Sequence, residues 1–208
     1  WDDQHAVREA LEIAGEKYGL RKVGALAYST TAQESGWLPA PLPAIYAGAA
    51  MREYREWMQG LSFEGLASLA GSLVSERIED YYLDPLEAGY GGFIDWNRDF
   101  IGRDALKARA AQPQRRKVTL EWDNADVVDV IASSLFDAER PARFLTLPTA
   151  IHGTFQYDKV LDKGRHVGSS HWVSYTANGR KVISTAIVDA DLATPGTPLP
   201  LLRGEPDA

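Results

Sequence analysis

Pro113 separates two residue patterns that no single all-helical or all-strand fold can absorb. Before it, Ala6, Val7, Ala10, Leu11, Ala14 and Tyr18 recur at three- and four-residue spacing, the period of an amphipathic helix. After it come short β-type runs over 117–122, 143–147, 166–175 and 180–188, separated by Gly, Asn and Pro turns. A chain that changes period in this way is α+β, with a β-rich second domain beginning near residue 114.

Within the first part, Asp2 and Asp3 are placed to cap the opening helix and Gly19 to stop it. Residues 23–28 read as a short strand entering the core, bounded by Thr30 and Thr31, with Tyr28 at its end. Pro39, Pro41 and Pro43 forbid a helix and stiffen an extended connection over 37–45, since each ring fixes its own φ and restricts its predecessor. Residues 49–58 read as helix and 60–75, rich in Gly and Ser, as a surface excursion. Residues 80–96 carry Tyr81, Tyr82, Tyr90, Phe93 and Trp96 among glycines. A helix is expected over 102–111, ended by Pro113. In the second part, 123–136 is the one helical interruption. Asn178-Gly179 marks a hairpin, because a type I′ turn needs positive φ at both central residues.

Composition removes several function classes. With 208 residues, 45% hydrophobic and 25% charged, the chain can bury a core and is not a disordered segment. A net charge of -7 without a run of like charges argues against nucleic-acid and membrane-surface partners. The absence of cysteine excludes disulfides, thiolate metal sites and a cysteine nucleophile. No apolar run reaches the roughly 18 residues of a spanning helix, and the expectation is a soluble, cytoplasmic protein. The chain opens on Trp1 without a methionine, which reads as a piece of something longer.

No phosphate loop, dinucleotide fingerprint or zinc-protease helix is present. His166 and His171 are five apart on an expected strand and point to opposite faces, so no metal site is assigned. Ser169, Ser170 and His171, as strand neighbours, cannot form a catalytic triad by themselves and read as solvated strand residues. The segment from Tyr28 through Glu34 to Trp37 gathers a phenol, a carboxylate and an indole beside the proline-stiffened loop. Two readings are open: a pocket for a flat heteroaromatic ligand, with Trp37 stacking and Glu34 accepting from ring N–H groups, or two core aromatics beside a surface or capping carboxylate.

At these residues the sequence resembles the tetrahydrofolate-dependent aryl O-demethylases of the vanillate and syringate type, within the wider glycine-cleavage aminomethyltransferase family. The resemblance is carried by Ala27-Tyr28 through Glu34-Ser35-Gly36-Trp37, Pro41-Leu42-Pro43-Ala44-Ile45-Tyr46, and Tyr54-Arg55-Glu56-Trp57. Ile78-Glu79-Asp80-Tyr81-Tyr82, Gly89-Tyr90-Gly91, Asp99 through Gly102-Arg103-Asp104-Ala105-Leu106, and Arg116-Lys117-Val118-Thr119-Leu120 continue it. Tyr28, where glycine-cleavage enzymes typically place an arginine, and the extra segment 51–80 point to the demethylase branch.

The resemblance implies an α+β chain made of the end of a folate-binding aminomethyltransferase domain (1–98), a linker helix (99–113) and a C-terminal β-barrel domain (114–208). It implies transfer of a methyl group from a methoxy-aromatic substrate to tetrahydrofolate, in a pocket that also draws on residues outside this chain. Position by position, Tyr28 matches the family's catalytic tyrosine, Trp37 a folate-contacting tryptophan and Glu34 an acidic residue at the pterin. Arg98 is placed toward the folate's glutamate tail. A tyrosine suits the step because phenols titrate near pH 10, close to the departing aryl alcohol, so proton transfer to the ether oxygen is nearly balanced. The rivals are an aminomethyltransferase or a folate-dependent demethylase with a non-aromatic donor, and a folate-binding protein without catalysis.

Overall fold

The computed structural model describes residues 1–38, 41–136, 139–149 and 154–205. The opening helix α1 spans Gln4–Glu16. It closes as the sequence indicates: Gly19, at φ 69, lets Leu20 N–H reach Gly15 O at 3.1 Å and Gly19 N–H reach Glu16 O at 3.0 Å. Asp3 holds the N-cap position, although its side chain makes no capping bond.

The expected strand over 23–28 is a helix instead. α2 runs over Ala25–Glu34. Ala25, Leu26 and Ala27 are strong helix formers, and Thr31 and Thr30 turn their hydroxyls back onto Ala27 O (2.8 Å) and Leu26 O (3.2 Å), so they no longer compete with the backbone. The proline segment is non-helical over 41–43, but the expected extended connection turns at 44–45, where Ile45 N–H donates to Pro43 O at 2.8 Å; Pro39 lies outside the described residues. A short helix α3 follows at Arg52–Trp57.

The stretch expected as a surface excursion contributes to the core at its far end. β1 (Ser68–Ala70) pairs in parallel with β3 (Thr154–Gln156). Leu73 is buried with Leu42, Tyr81, Phe155 and Tyr157. Two phenols tie this cluster: Tyr81 Oη donates to Leu73 O at 2.9 Å, and Tyr157 Oη to Tyr81 O at 3.0 Å. Helix α4 occupies Arg103–Ala110.

The second half is built on one antiparallel sheet, in the order β2 (Arg115–Glu121), β6 (Lys181–Asp189), β5 (Arg165–Thr176), β4 (Asp158–Asp162) and β7 (Leu201–Leu202). It is open. β7 pairs with β4 through only two residues, and β2 and β7 remain the two edges, so the expected barrel does not close among the described residues. Between those edges lies a cleft of about 830 Å³ lined by Val118, Leu120, Trp122, Leu199 and Arg203. The expected strand at 143–147 does not form. Its backbone contributes to β5 only a neighbouring bond from Thr149 N–H to Val173 O, in a stretch flanked by Pro141 and Pro148, which lack a ladder donor.

Alternation along β6 assigns the faces. Val182, Ser184, Ala186 and Val188 meet the apolar side, where Val182 packs with Val127 and Val130 of helix α5 (Asn124–Leu135). Asp123 caps that helix, accepting from Ala125 N–H at 2.8 Å. Thr185 looks the other way, toward α2. The hairpin at Asn178-Gly179 is present, but its loop is four residues long with positive φ at Arg180. The two-residue turn with positive φ at both positions is Lys163-Gly164, between β4 and β5.

Candidate functional site

The candidate residues Tyr28, Glu34 and Trp37 lie along α2 and in the loop that leaves its C-terminal end. Gly36, at φ 67, ends the helix: Trp37 N–H donates to Ala32 O at 2.9 Å and Gly36 N–H to Gln33 O at 3.0 Å. This pair of bonds fixes how the chain exits, and with it where the indole goes. Tyr28, two turns back, meets Trp37 edge to face, with ring centroids 6.4 Å apart and planes at 77°. Both rings are open to solvent, Tyr28 by 55% and Trp37 by 40%. Among the described residues neither ring belongs to a buried core cluster of this chain.

The next residue, Leu38, is buried against Trp172 and Ala88. Trp172 reaches it because β5 carries a bulge: His171 pairs with Thr185 and Val173 with Ser184, leaving Trp172 as the extra residue, aimed out of the ladder. The residue that follows Trp37 is therefore anchored at an irregularity in the sheet.

Glu34 is exposed, yet its carboxylate is hydrogen-bonded to the sheet. Its Oε1 accepts from the Thr176 hydroxyl, and both its oxygens lie 3.2 Å from Asn178 Nδ2, in the β5–β6 turn. One residue earlier, buried Gln33 accepts from Thr185 Oγ1 at 2.8 Å. Arg98 is exposed on a separate loop, where its carbonyl accepts from Arg103 Nη1, and no hydrogen bond joins it to Tyr28, Glu34 or Trp37 among the described residues. The structure thus brings Tyr28, Glu34 and Trp37 onto one segment and leaves Arg98 apart.

The Ser169–His171 region differs from its expected solvated state. Both side chains are buried, with Ser169 Oγ 3.1 Å from His171 Nε2. Burial, aided by the nearby Arg115 charge, pushes His171 down to about 3, so its imidazole is neutral at physiological pH. It packs edge-on against Tyr157 at 4.6 Å. Among the described residues no carboxylate hydrogen-bonds this histidine, so the pair is a satisfied polar contact in the core and not a nucleophile with its base. His166, by contrast, is exposed.

Two further polar centres gave no sequence signal, because their partners are far apart in the chain. Glu87 is buried, accepting from Arg115 Nε at 2.8 Å and Arg109 Nη2 at 2.9 Å. Burial opposes its ionisation, but the Arg115 hydrogen bonds and charge, with Arg109 behind them, hold its carboxyl below the usual range. Asp158 accepts from Gln156 Nε2 at 2.9 Å and from the backbone N–H groups of Ser72 and Gly204, joining three segments. Its carboxyl is raised by burial.

Comparison with known proteins covers the whole chain. It is 41% identical over 207 residues to the syringate O-demethylase of Sphingobium sp. (strain NBRC 103272 / SYK-6), an alignment that takes in 100% of this chain and 45% of that protein. It is 30% identical over 217 residues to the sesamin methylene transferase of Sinomonas sp. (strain No.22), covering 98% of this chain and 48% of that protein. No protein-family model matches. The chain spans about half the length of the curated relatives it matches. The similarity runs from end to end of this chain and takes in about half of this O-demethylase and of this methylene transferase.

Proposed function

We propose that the protein is a tetrahydrofolate-dependent one-carbon transferase that takes a methyl group from an aromatic methoxy substrate of the syringate or vanillate kind. The observation that carries this reading is the 41% identity to syringate O-demethylase along the whole chain. The exposed Tyr28–Trp37 pair supports it: a solvent-open indole beside a phenol is a fit surface for a flat heteroaromatic ring. Bound tetrahydrofolate supplies the nitrogen that accepts the methyl group.

This chain's own residues then have separable roles. Trp37 offers its face to the pterin and excludes water from one side of it. Tyr28 gives its phenolic proton to the ether oxygen as the carbon–oxygen bond breaks, so that the aryl group leaves as a neutral phenol. Glu34, with Oε1 and Oε2 both engaged by the β5–β6 turn, keeps acceptor capacity on Oε2 for a ring N–H. Arg98 supplies an exposed guanidinium for a carboxylate of the folate's tail.

Incubating the full-length protein with tetrahydrofolate and syringate, vanillate or 3-O-methylgallate in turn is expected to give 5-methyltetrahydrofolate and the demethylated phenol. A second reading follows from the sesamin methylene transferase relative. In it the donor gives up a methylene group, and the folate product carries a methylene in place of a methyl. The same assay separates the two by the folate product formed. Folate binding without either product identifies a non-catalytic folate protein.

A further inference from the structure

The two aromatic rings of the site are held by little packing of their own. Within α2 only Ala32 and Gln33 are buried, and Tyr28 and Trp37 stand open to solvent. What fixes this helix against the sheet is polar and lies at its C-terminal end. Gln33 accepts from Thr185 inside the core at 2.8 Å, and Glu34 is gripped by Thr176 and Asn178. Bonds to a carboxylate are about twice as strong as neutral ones. The gripping residues are themselves fixed: Thr176 Oγ1 also accepts from Gly179 N–H at 3.1 Å, and Thr176 closes the β5–β6 ladder opposite Lys181. The result is a brace from the longest hairpin of the sheet to the segment that carries both rings.

We propose that Thr176, Asn178 and Thr185 are positioning residues of the site, acting through Glu34 and Gln33 to set the Tyr28 phenol and the Trp37 indole. The proposal rests on the transferase reading above and adds residues that touch neither substrate. A shift of about 1 Å in a proton donor can cost about 10²-fold in rate, so releasing the brace acts on turnover. Thr176→Val removes the hydroxyl at nearly constant volume, whereas Thr176→Ser keeps it.

The test is turnover by the full-length protein, with syringate and tetrahydrofolate, for the parent, Thr176→Val with Asn178→Ala, and Thr176→Ser. The double variant is expected to lose at least tenfold in kcat with KM for syringate changed less than twofold. Thr176→Ser should stay within threefold of the parent, and amide exchange in residues 25–34 should speed up in the double variant alone. Asn178→Ala by itself, an exposed change that leaves Thr176 in place, should lower kcat about threefold, and serves if the double variant does not fold. An active parent with the double variant (or Asn178→Ala, where the double variant does not fold) within twofold of it overturns the brace and leaves the functional reading intact. An inactive parent overturns the functional reading, and the brace with it.

Discussion

Gln33 and Thr185, 152 positions apart in the chain, share a 2.8 Å hydrogen bond inside the core. It joins α2 to the centre of the sheet, and neither partner has water to fall back on. Thr185→Val should therefore lower unfolding free energy by about 1–3 kcal/mol, the desolvation cost of a stranded buried acceptor. Replacing both partners, Gln33→Leu with Thr185→Val, should recover most of that loss, because no polar group is then left unpaired. Urea melts of the parent and the two variants read this directly. A double variant no more stable than Thr185→Val alone would mean that the bond is not what holds the helix.

Gly36 sits at φ 67 with nothing within 4 Å of where a Cβ would stand. The cost of Gly36→Ala is thus conformational and not steric, about 1–2 kcal/mol for a side chain forced into the left-handed region. The variant should melt lower and its Trp37 emission should change, since the helix end and the indole share one pair of backbone bonds. An Ala variant with parental stability would place the helix stop elsewhere.

How much of this was legible beforehand depends on the range of the interactions. α1 and its Gly19 stop, the α5 cap at Asp123 and the β5–β6 hairpin rest on local chemistry, and the chain declares them. The strand expected over 23–28 is a helix because the run is too short to show a period, and the Ala25–Leu26–Ala27 preference for helix and the contacts of the α2 end with the sheet outweigh it. The open sheet was equally hidden: barrel closure depends on whether β7 reaches β2, which no short window reports. Tyr28, Glu34 and Trp37 are proposed from resemblance, whereas Thr176 and Asn178 lie more than 140 positions from Glu34 and carry no pattern that links them.

Tyr28 is the one residue whose loss should affect chemistry more than binding. Tyr28→Phe keeps the edge contact with Trp37 and removes only the proton. General acid catalysis contributes about 10²- to 10⁴-fold, so kcat of the full-length variant should fall by that order while KM for the aromatic substrate changes little. Turnover within threefold of the parent would take the phenol out of the mechanism.

Glu87 holds two arginines together at the seam between α4 and β2, with a side chain only 4% exposed. Glu87→Gln leaves Arg115 without its carboxylate and Arg109 with Asp84 alone, 2.9 Å from its Nε, both guanidiniums being 30% exposed. Breaking a fully buried pair from one side costs about 3–5 kcal/mol, and this half-open cluster is expected to lose about 1–3 kcal/mol. Loss of that size should appear as a clear shift of the urea midpoint. A shift equivalent to less than about 1 kcal/mol, the level of an exposed pair, would show that the cluster is solvated in solution.

His171 makes stability depend on acid in a defined window. Folded, it is held neutral with a value of about 3; unfolded, it titrates near 6.5. The unfolded chain therefore binds the extra proton between those limits. The contribution is fully present above about pH 6.5 and is lost as pH falls toward 3, at up to about 1.4 kcal/mol per pH unit. By pH 5 the parent should have lost about 2 kcal/mol from this group alone. His171→Phe keeps an aromatic ring against Tyr157 and has nothing to titrate, so its stability should fall less steeply from pH 7 to 5, whatever its offset at pH 7. Chemical denaturation at half-unit pH steps gives both slopes. Parallel curves would mean that the imidazole takes up its proton in the folded state as readily as in the unfolded one, and that the core around Ser169 and Tyr157 admits water.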